Sequence, residues 1–209
     1  MKDNKLNKIV IVGGGTAGWM SAALLARITG GGVDIELVES EQIGTVGVGE
    51  ATIPQIRYLC DALQIPENEF LAKTNGTYKL GIEFVNWARI GDRYIHTFGD
   101  VGRRLGVLDF HHVWLRAREL GVAGDLGDYS FNTIAAYENK FAHVEKLGDT
   151  GLLGLGYAFH FDATLVAKLL RTLSEGNGVV RTEGMIRDVN LHPESGFIES
   201  VSLEGGREV

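Results

Sequence analysis

The chain has 209 residues, of which 44% are hydrophobic and 22% are charged, a composition that is ordinary for a soluble globular protein. Its formal net charge of -7 argues against a nucleic-acid surface, because phosphate binding requires clustered lysine and arginine. The sequence contains no apolar stretch long enough to span a bilayer and no evident signal peptide, which together predict a cytoplasmic protein.

The N-terminal residues predict a β-α-β unit. The β-branched run Ile9–Val12 is typical of a central parallel strand. A glycine turn separates this strand from a predicted helix of small and apolar residues, from Ala17 to about Thr29. Val33–Glu39 then alternates between apolar and polar residues and ends in a carboxylate, which predicts a second strand.

Two helices and a strand are predicted in the next part of the chain. Pro54 is expected at the entry of a helix over Gln55–Leu63, with Cys60 on its buried side, and a shorter helix is predicted over Glu67–Ala72. Lys79–Trp87 alternates with period two, which predicts a strand. Its two faces would carry Leu80, Ile82 and Phe84 on one side and Lys79, Gly81, Glu83 and Val85 on the other.

The C-terminal part predicts one helix and three strands. Asp162 is a suitable N-cap for a helix over Ala163–Ser174, and Val179–Thr182 is expected to be a third parallel strand. Met185–Leu191 and Phe197–Leu203 alternate around a turn, as in an antiparallel meander. These elements together predict an α/β fold with a parallel sheet, flanking helices and an antiparallel meander.

Residues Gly13 to Gly18 fit the pattern G-x-G-x-x-G. The pattern lies between a predicted strand and a predicted helix, and Glu39 follows Gly18 by about 20 residues, the spacing expected for an acid that binds a ribose. Because glycine has no side chain, the backbone of this turn can approach a pyrophosphate at the helix N-terminus. Free N–H groups and the helix dipole favour anions there. The context therefore predicts a dinucleotide site; the alternative is a tight turn with a surface glutamate.

A second glycine-rich loop, Gly47–Pro54, bears on which dinucleotide is bound, because FAD and NAD share the first motif. The loop leads into a predicted helix, and its glycines allow the backbone to pass close to a flat cofactor and to present polar groups to it. On the residues alone, this loop is a candidate for a flavin contact.

Six motifs follow one another along the chain. They are IVIVGGGTAGWMSA (Ile9–Ala22), GVGEATIP (Gly47–Pro54), KLGIEFVNW (Lys79–Trp87), YIHTFG (Tyr94–Gly99), HVWLRARELG (His112–Gly121) and HFDATLVAKLL (His160–Leu170). Together with the tail from Asp188, they resemble successive signatures of the flavin-dependent tryptophan halogenases, in the same order and over essentially the whole chain. The resemblance implies a Rossmann-like FAD-binding fold, with residues 1–209 as the FAD-binding N-terminal part of a halogenase module.

The resemblance also implies the reactants. FAD is expected as the cofactor, supplied as FADH2 by a separate flavin reductase, with halide as co-substrate and tryptophan or a related indole as substrate; a homodimer is also expected. The positions that the family assigns to FAD match Gly13, Gly14, Gly15, Thr16, Ala17, Gly18, Glu39, Ser40, Gly49, Glu50, Ala51, Thr52 and Ile186.

Lys79 matches the family's catalytic lysine. The resemblance implies that hypohalous acid, formed from reduced flavin, O2 and halide, reaches this lysine through a tunnel, and that the lysine delivers electrophilic halogen to an indole carbon. A primary amine suits this task, because it can donate a hydrogen bond to the oxidant or be N-halogenated, and burial can lower its pKa. Without the resemblance, the residue would be interpreted as a solvated strand lysine.

His96 and Phe98 match family positions that line the indole pocket. A flat apolar ring offers stacking area, and an imidazole can both stack and donate a hydrogen bond. The alternative is a loop anchored by one aromatic residue. His111 and His112 invite a metal-site interpretation, but no second cluster at ligand spacing supports it, so they are expected to pack a helix over His111–Leu120.

Several family features are missing from this sequence: the W-x-W-x-I-P motif, the glutamate near the lysine, the loop that holds the halide, and the strand that closes the FAD sheet. In the family all of them follow the position of Val209. We therefore expect a fragment that is incomplete at its C-terminus and inactive alone. Two alternatives are a flavin monooxygenase or oxidase on the same fold, in which Lys79 has no special role, and a non-catalytic nucleotide-binding fragment.

Overall fold

The computed structural model describes residues 6–43 and 49–209. Contacts between Cα atoms divide the chain into two compact units. The first unit contains the described residues up to Glu50 and residues 58–76 and 161–209, and the second contains residues 51–57 and 77–160.

The described residues form ten strands and six α-helices, with a 3₁₀ helix over Leu126–Tyr129. In chain order they are β1 (Lys8–Val12), α1 (Thr16–Thr29), β2 (Asp34–Glu39), β3 (Gly49–Ala51), α2 (Ile56–Leu63), α3 (Glu67–Thr74), β4 (Thr77–Lys79), β5 (Gly81–Val85), β6 (Arg93–Thr97), α4 (Phe110–Glu119), α5 (Phe131–Tyr137), β7 (Ala158–Asp162), α6 (Ala163–Gly176), β8 (Val180–Glu183), β9 (Ile186–Leu191) and β10 (Ile198–Leu203).

The first unit is built on a parallel sheet with the strand order β1-β2-β8. Ile11 lies opposite Leu37, which lies opposite Arg181, so the predicted β-α-β unit and third parallel strand are confirmed. The prediction that β1 is a central strand is wrong: it is an edge strand of this sheet, and Val12 is 57% exposed. A central strand pairs with another strand along each of its two edges. Among the described residues, β2 is the one strand that pairs with β1.

Small side chains let α1 and α6 pack closely in the first unit. α1 buries Ala22, Ala23 and Ala26, and α6 buries Val166 and Leu170. Removing this apolar surface from water stabilises the pair by roughly 25 cal/mol per Å² buried. The two helices therefore form the main helical layer of the first unit.

The predicted N-cap of α6 is confirmed. Asp162 Oδ1 accepts hydrogen bonds from the backbone N–H groups of Thr164, at 2.8 Å, and Leu165, at 3.1 Å. These bonds satisfy two of the four N–H groups that the start of a helix leaves without intrahelical partners.

β9 and β10 form the predicted antiparallel meander, with Val189 opposite Val201. Val201 and Leu203 are buried together with Val38 of β2, and Ile186 packs against them. Apolar burial thus attaches the β9-β10 pair to the rest of the first unit.

The second unit contains two small sheets. Residues 77–79 of β4 pair with residues 158–160 of β7, and β5 pairs with β6. In the antiparallel β4-β7 pair, Lys79 lies opposite Ala158. β6 and β7 overlap motifs for which the sequence predicts no strand, and α5 is also absent from the sequence prediction. The alternation of apolar and polar residues in β6 and β7 is short, so these strands depend on the strands that they pair with more than on their own sequence pattern.

The single strand predicted over residues 79–87 is wrong, because the chain changes its pairing partner there. β4 ends at Lys79 and β5 begins at Gly81. Between them, the Leu80 carbonyl accepts a hydrogen bond from Phe98 N at 3.0 Å. A Cβ at Gly81 would lie 2.7 Å from the backbone of β6, so glycine permits the close pairing that begins β5. Lys79 and Gly81 therefore do not share a face of one strand.

The other predicted helices are confirmed, but the predicted packing role of two histidines is wrong. Cys60 lies on the buried side of α2 with 5% of its surface exposed, and burial raises the pKa of its thiol to about 11. α4 forms as predicted, but His111 and His112 are exposed on it and do not pack it against other residues.

No helix among residues 6–43 and 49–209 is long and apolar enough to cross a membrane.

Candidate functional site

The glycine-rich turn after β1 contains the close approaches that its sequence predicts. Gly13 has a φ of +107°, which favours glycine, and its N–H donates to the Val38 carbonyl at 2.8 Å. A Cβ at Gly18 would lie 1.9 Å from the Gly13 carbonyl oxygen. α1 begins at Thr16 with no side-chain cap at Gly15. The first N–H groups of α1 are therefore available to an anion.

Glu39 lies directly against this turn. A Cβ at Gly14 would lie 1.3 Å from Glu39 Oε2, so a larger residue at that position would displace the carboxylate. Arg181 Nε donates to Glu39 Oε1 at 2.5 Å, and the same guanidinium pairs with Glu41 and Glu183. This arginine is not among the residues predicted from the sequence, and the parallel β2-β8 pairing brings it beside Glu39.

A cavity of about 710 Å³ opens beside the turn and Glu39. The predicted cofactor positions that line it are Gly13, Gly14, Gly15, Thr16, Glu39, Ser40, Glu50 and Ile186. The Thr16 hydroxyl is buried and has no hydrogen-bond partner among the described residues. Phosphate oxygens of a bound ligand would accept a hydrogen bond from it. The turn, the start of α1 and the cavity thus fit a dinucleotide cofactor.

The remaining predicted cofactor positions are not among the residues that line this cavity: Ala17, Gly18, Gly49, Ala51 and Thr52. Gly18 instead allows α1 to begin close to Gly13. Gly47 and Val48, in the second glycine-rich loop, lie outside the described residues.

Lys79 is buried, with 6% of its surface exposed, so the interpretation as a solvated strand lysine is wrong. Its Nζ donates to the Thr52 carbonyl oxygen at 2.7 Å and lies 5.3 Å from the centre of the Phe98 ring. Burial lowers the pKa of Lys79. The second unit therefore brings Lys79 together with Phe98, whereas His96 is exposed on β6 and no described contact joins it to the lysine.

His160 is a titratable residue on the strand that pairs with β4, and it is not among the site residues predicted from the sequence. In the β4-β7 pairing, His160 lies opposite Thr77, two residues before Lys79, so alternation places His160 and Lys79 on the same face of the sheet. Burial and, secondly, the charge of Lys79 lower the pKa of His160. This face of the sheet therefore carries, besides the amine, an imidazole whose lowered pKa favours its neutral form.

Asn132 at the start of α5 holds the segments around Lys79 together. Its Nδ2 donates to the carbonyl oxygens of Leu80, at 3.0 Å, and Gly156, at 2.6 Å, and the residue is 1% exposed. The Leu80 carbonyl also accepts from the N–H of Phe98, so one buried amide helps to fix the backbone that carries this ring. Nothing in the local sequence distinguishes Asn132 from an ordinary residue at a helix start.

The described residues contain no group of three or more histidine, cysteine, aspartate or glutamate side chains able to hold a metal ion. The rings of His111 and His112 lie 3.9 Å apart on the exposed surface of α4.

Comparison with known proteins places this geometry in a family. A model of the tryptophan halogenase family matches residues 8–209. Tryptophan 7-halogenase RebH of Lentzea aerocolonigenes is 35% identical over 97% of this chain, and tryptophan 6-halogenase SttH of Streptomyces toxytricini is 34% identical over 99%. The chain spans 40% of the length of RebH and 43% of that of SttH.

Solved structures agree with the sequence comparison. Xcc4156, a flavin-dependent halogenase from Xanthomonas campestris, matches with a TM-score of 0.87 and 46% identity over 98% of this chain and 40% of its own. BrvH, a flavin-dependent halogenase from Brevundimonas sp. BAL3, matches with a TM-score of 0.87 and 39% identity over 99% of this chain and 41% of its own. The chain belongs to the tryptophan halogenase family.

Proposed function

We propose that this chain is the FAD-binding part of a flavin-dependent halogenase that acts on tryptophan or a related indole. The observation that carries the proposal is the buried Lys79 amine, held by a backbone carbonyl beside the Phe98 ring. Relatives of this chain are named tryptophan halogenases and flavin-dependent halogenases, which supports the same activity.

FAD is the proposed cofactor in the cavity beside α1. Gly14 and Thr16 would hold its pyrophosphate, and Glu39, positioned by Arg181, would accept hydrogen bonds from a ribose. When bound in its reduced form, FAD supplies, with O2, the two-electron oxidation of chloride or bromide to hypohalous acid. A separate flavin reductase is the proposed source of reduced FAD, and a cytoplasmic location stays a prediction.

Lys79 is proposed to deliver the halogen. A buried amine with a lowered pKa reaches its neutral form more easily, and a neutral amine reacts with hypohalous acid to give an N-halogenated amine and water. The ammonium form can instead donate a hydrogen bond to the same acid. Phe98 offers a flat apolar surface against which an indole ring can stack.

The test replaces Lys79 with alanine in the complete gene product, supplied with a flavin reductase, FAD, NADH, O2, halide and tryptophan. Halogenated product should fall below about a tenth of wild type, while FAD affinity and FADH2 oxidation stay nearly unchanged. Lys79→Arg should also fail, because guanidinium differs in shape and is a poor haloamine precursor. Lys73→Ala, at an exposed lysine of α3, is the matched control.

Two results would contradict this proposal. Product formation by Lys79→Ala above about a tenth of wild type would remove the role of the lysine. A wild-type protein that oxidises FADH2 but yields no halogenated product with chloride or bromide would instead be a flavin oxidase or monooxygenase on the same fold.

A further inference from the structure

Among the described residues, a neighbouring backbone group holds the Lys79 amine. Its Nζ donates to the Thr52 carbonyl oxygen at 2.7 Å, which is its one hydrogen bond to a described residue. On another side the centre of the Phe98 ring lies 5.3 Å away. Because a lysine side chain has a long stem with many rotamers, its amine depends on such contacts for a defined position.

Thr52 is in turn attached to β7 by three hydrogen bonds with a single residue, Phe159. Thr52 N donates to the Phe159 carbonyl at 3.0 Å, and the Thr52 hydroxyl donates to the same oxygen at 2.8 Å. The hydroxyl oxygen also accepts from Phe159 N at 3.2 Å. The Thr52 hydroxyl thus donates to and accepts from the same residue, on the two peptide groups that flank the Phe159 Cα.

β7 therefore contacts both partners: it pairs with the strand that carries Lys79, and it binds Thr52, whose carbonyl oxygen accepts the hydrogen bond from the amine. Ala158, the residue before Phe159, lies opposite Lys79 in the β4-β7 pair. A shift of the Thr52 peptide relative to β7 would change the direction of its carbonyl and hence the position of the amine. The Thr52 hydroxyl is the side-chain group that opposes such a shift.

We propose that Thr52 is a positioning residue for Lys79: its hydroxyl fixes the Thr52 peptide on β7, and the carbonyl of that peptide directs the amine. The inference rests on the proposed role of Lys79 in halogen delivery, and it gives Thr52 a task distinct from the flavin contact that its motif predicts. Valine has nearly the same shape but neither donor nor acceptor, whereas serine keeps the hydroxyl.

The first experiment compares Thr52→Val and Thr52→Ser with wild type in the complete gene product. Thr77→Val, at an exposed position of β4, is the matched control. For Thr52→Val, the amount of halogenated tryptophan per FADH2 consumed should fall about tenfold, because displacement of a reacting group by about 1 Å is costly. KM for tryptophan and FAD affinity should change less than about twofold, and the serine and control variants should keep near wild-type yield. An unchanged yield for Thr52→Val, or a loss that serine does not restore, would overturn the proposal.

A second experiment does not depend on halogenation. Acetylation of Lys79 by acetic anhydride is measured by peptide mass spectrometry relative to the exposed Lys73 of the same molecule. Labelling of Lys79 should rise about threefold or more in Thr52→Val, because a released amine is more accessible, and should stay at the wild-type level in Thr52→Ser and Thr77→Val. Equal labelling in all variants would overturn the positioning role. Increased labelling in Thr52→Val, combined with no halogenated product from wild type, would support the positioning role and count against the proposed function alone.

Discussion

The two units of the chain surround their buried charges in opposite ways. In the first unit, Glu36 on β2 is 8% exposed and is bound by Lys8, at 2.7 Å, by Arg207, at 3.2 Å, and by the Thr182 hydroxyl. Burial alone would raise the pKa of Glu36, but the hydrogen bonds and charges of these neighbours outweigh it and lower the pKa. In the second unit, Lys79 is equally buried, but a neutral carbonyl holds it and burial lowers its pKa.

This difference separates a structural charge from a candidate reactive one. A carboxylate among cations stays ionised and contributes to the stability of the fold. An amine that meets a neutral acceptor keeps a defined position, while burial favours loss of its proton.

The largest effect is expected at Glu39, a paired carboxylate that would also bind the proposed cofactor. Glu39→Ala should weaken FAD binding by ~1–3 kcal/mol, about five- to 150-fold, because it removes hydrogen bonds to a charged group. Glu41→Ala is the matched control, since Glu41 also pairs with Arg181 but its side chain is 74% exposed, and it should change FAD affinity less than about twofold. Titration of the complete gene product with FAD measures both. Tight NADPH binding without flavin binding would contradict the choice of cofactor.

A smaller effect is expected on folding in the first unit. Glu36→Gln should lower the free energy of unfolding at pH 7 by ~1–2 kcal/mol, because it removes the charge that Lys8 and Arg207 face. The folded pKa of Glu36 lies below its ordinary value of 4.5, so this stabilisation is present above that value and is lost as pH falls through the folded pKa. Denaturant unfolding of both proteins at neutral and acidic pH measures the difference, and a difference that does not shrink in acid would show that the pairing is not its source.

The smallest effect is expected from Lys79: stability again rises with pH, but in a more alkaline window and because a buried charge is lost rather than gained. Its folded pKa lies below the ordinary value of 10.5, so between these two values the unfolded chain binds more protons. The stability of wild type relative to Lys79→Met should therefore rise with pH in that window. Denaturant midpoints at pH 7 and pH 10 measure this, and a difference that is independent of pH would indicate a lysine with an ordinary environment.

The features that were predicted from the sequence are those with local causes. Gly13 and Gly18 are required by a turn that needs a positive φ and a close backbone approach, so their spacing carries the prediction by itself. The Asp162 cap and the buried side of α2 also follow from short patterns. The family resemblance added Lys79, whose burial no local pattern indicates.

The features that were not predicted depend on contacts between distant parts of the chain. Arg181 lies 142 positions from Glu39 along the sequence and reaches it only through the β2-β8 pairing. Thr52 reaches Lys79 because both lie beside β7. The strand predicted across Leu80 is divided for the same reason, since alternation gives the faces of a strand but not its partners.

The burial of Cys60 has a consequence under the proposed function, in which the protein makes an oxidant. The thiolate is the form of cysteine that oxidants attack, and a thiol with a pKa of about 11 is ionised to a fraction on the order of 10⁻⁴ at pH 7. Because Cys60 is the one cysteine of the sequence, the chain offers hypohalous acid almost no sulfur nucleophile of this kind. Under the proposed function, the sulfur that remains open to oxidation is that of methionine, and self-inactivation during turnover should appear first as methionine sulfoxide rather than as sulfenic acid at Cys60.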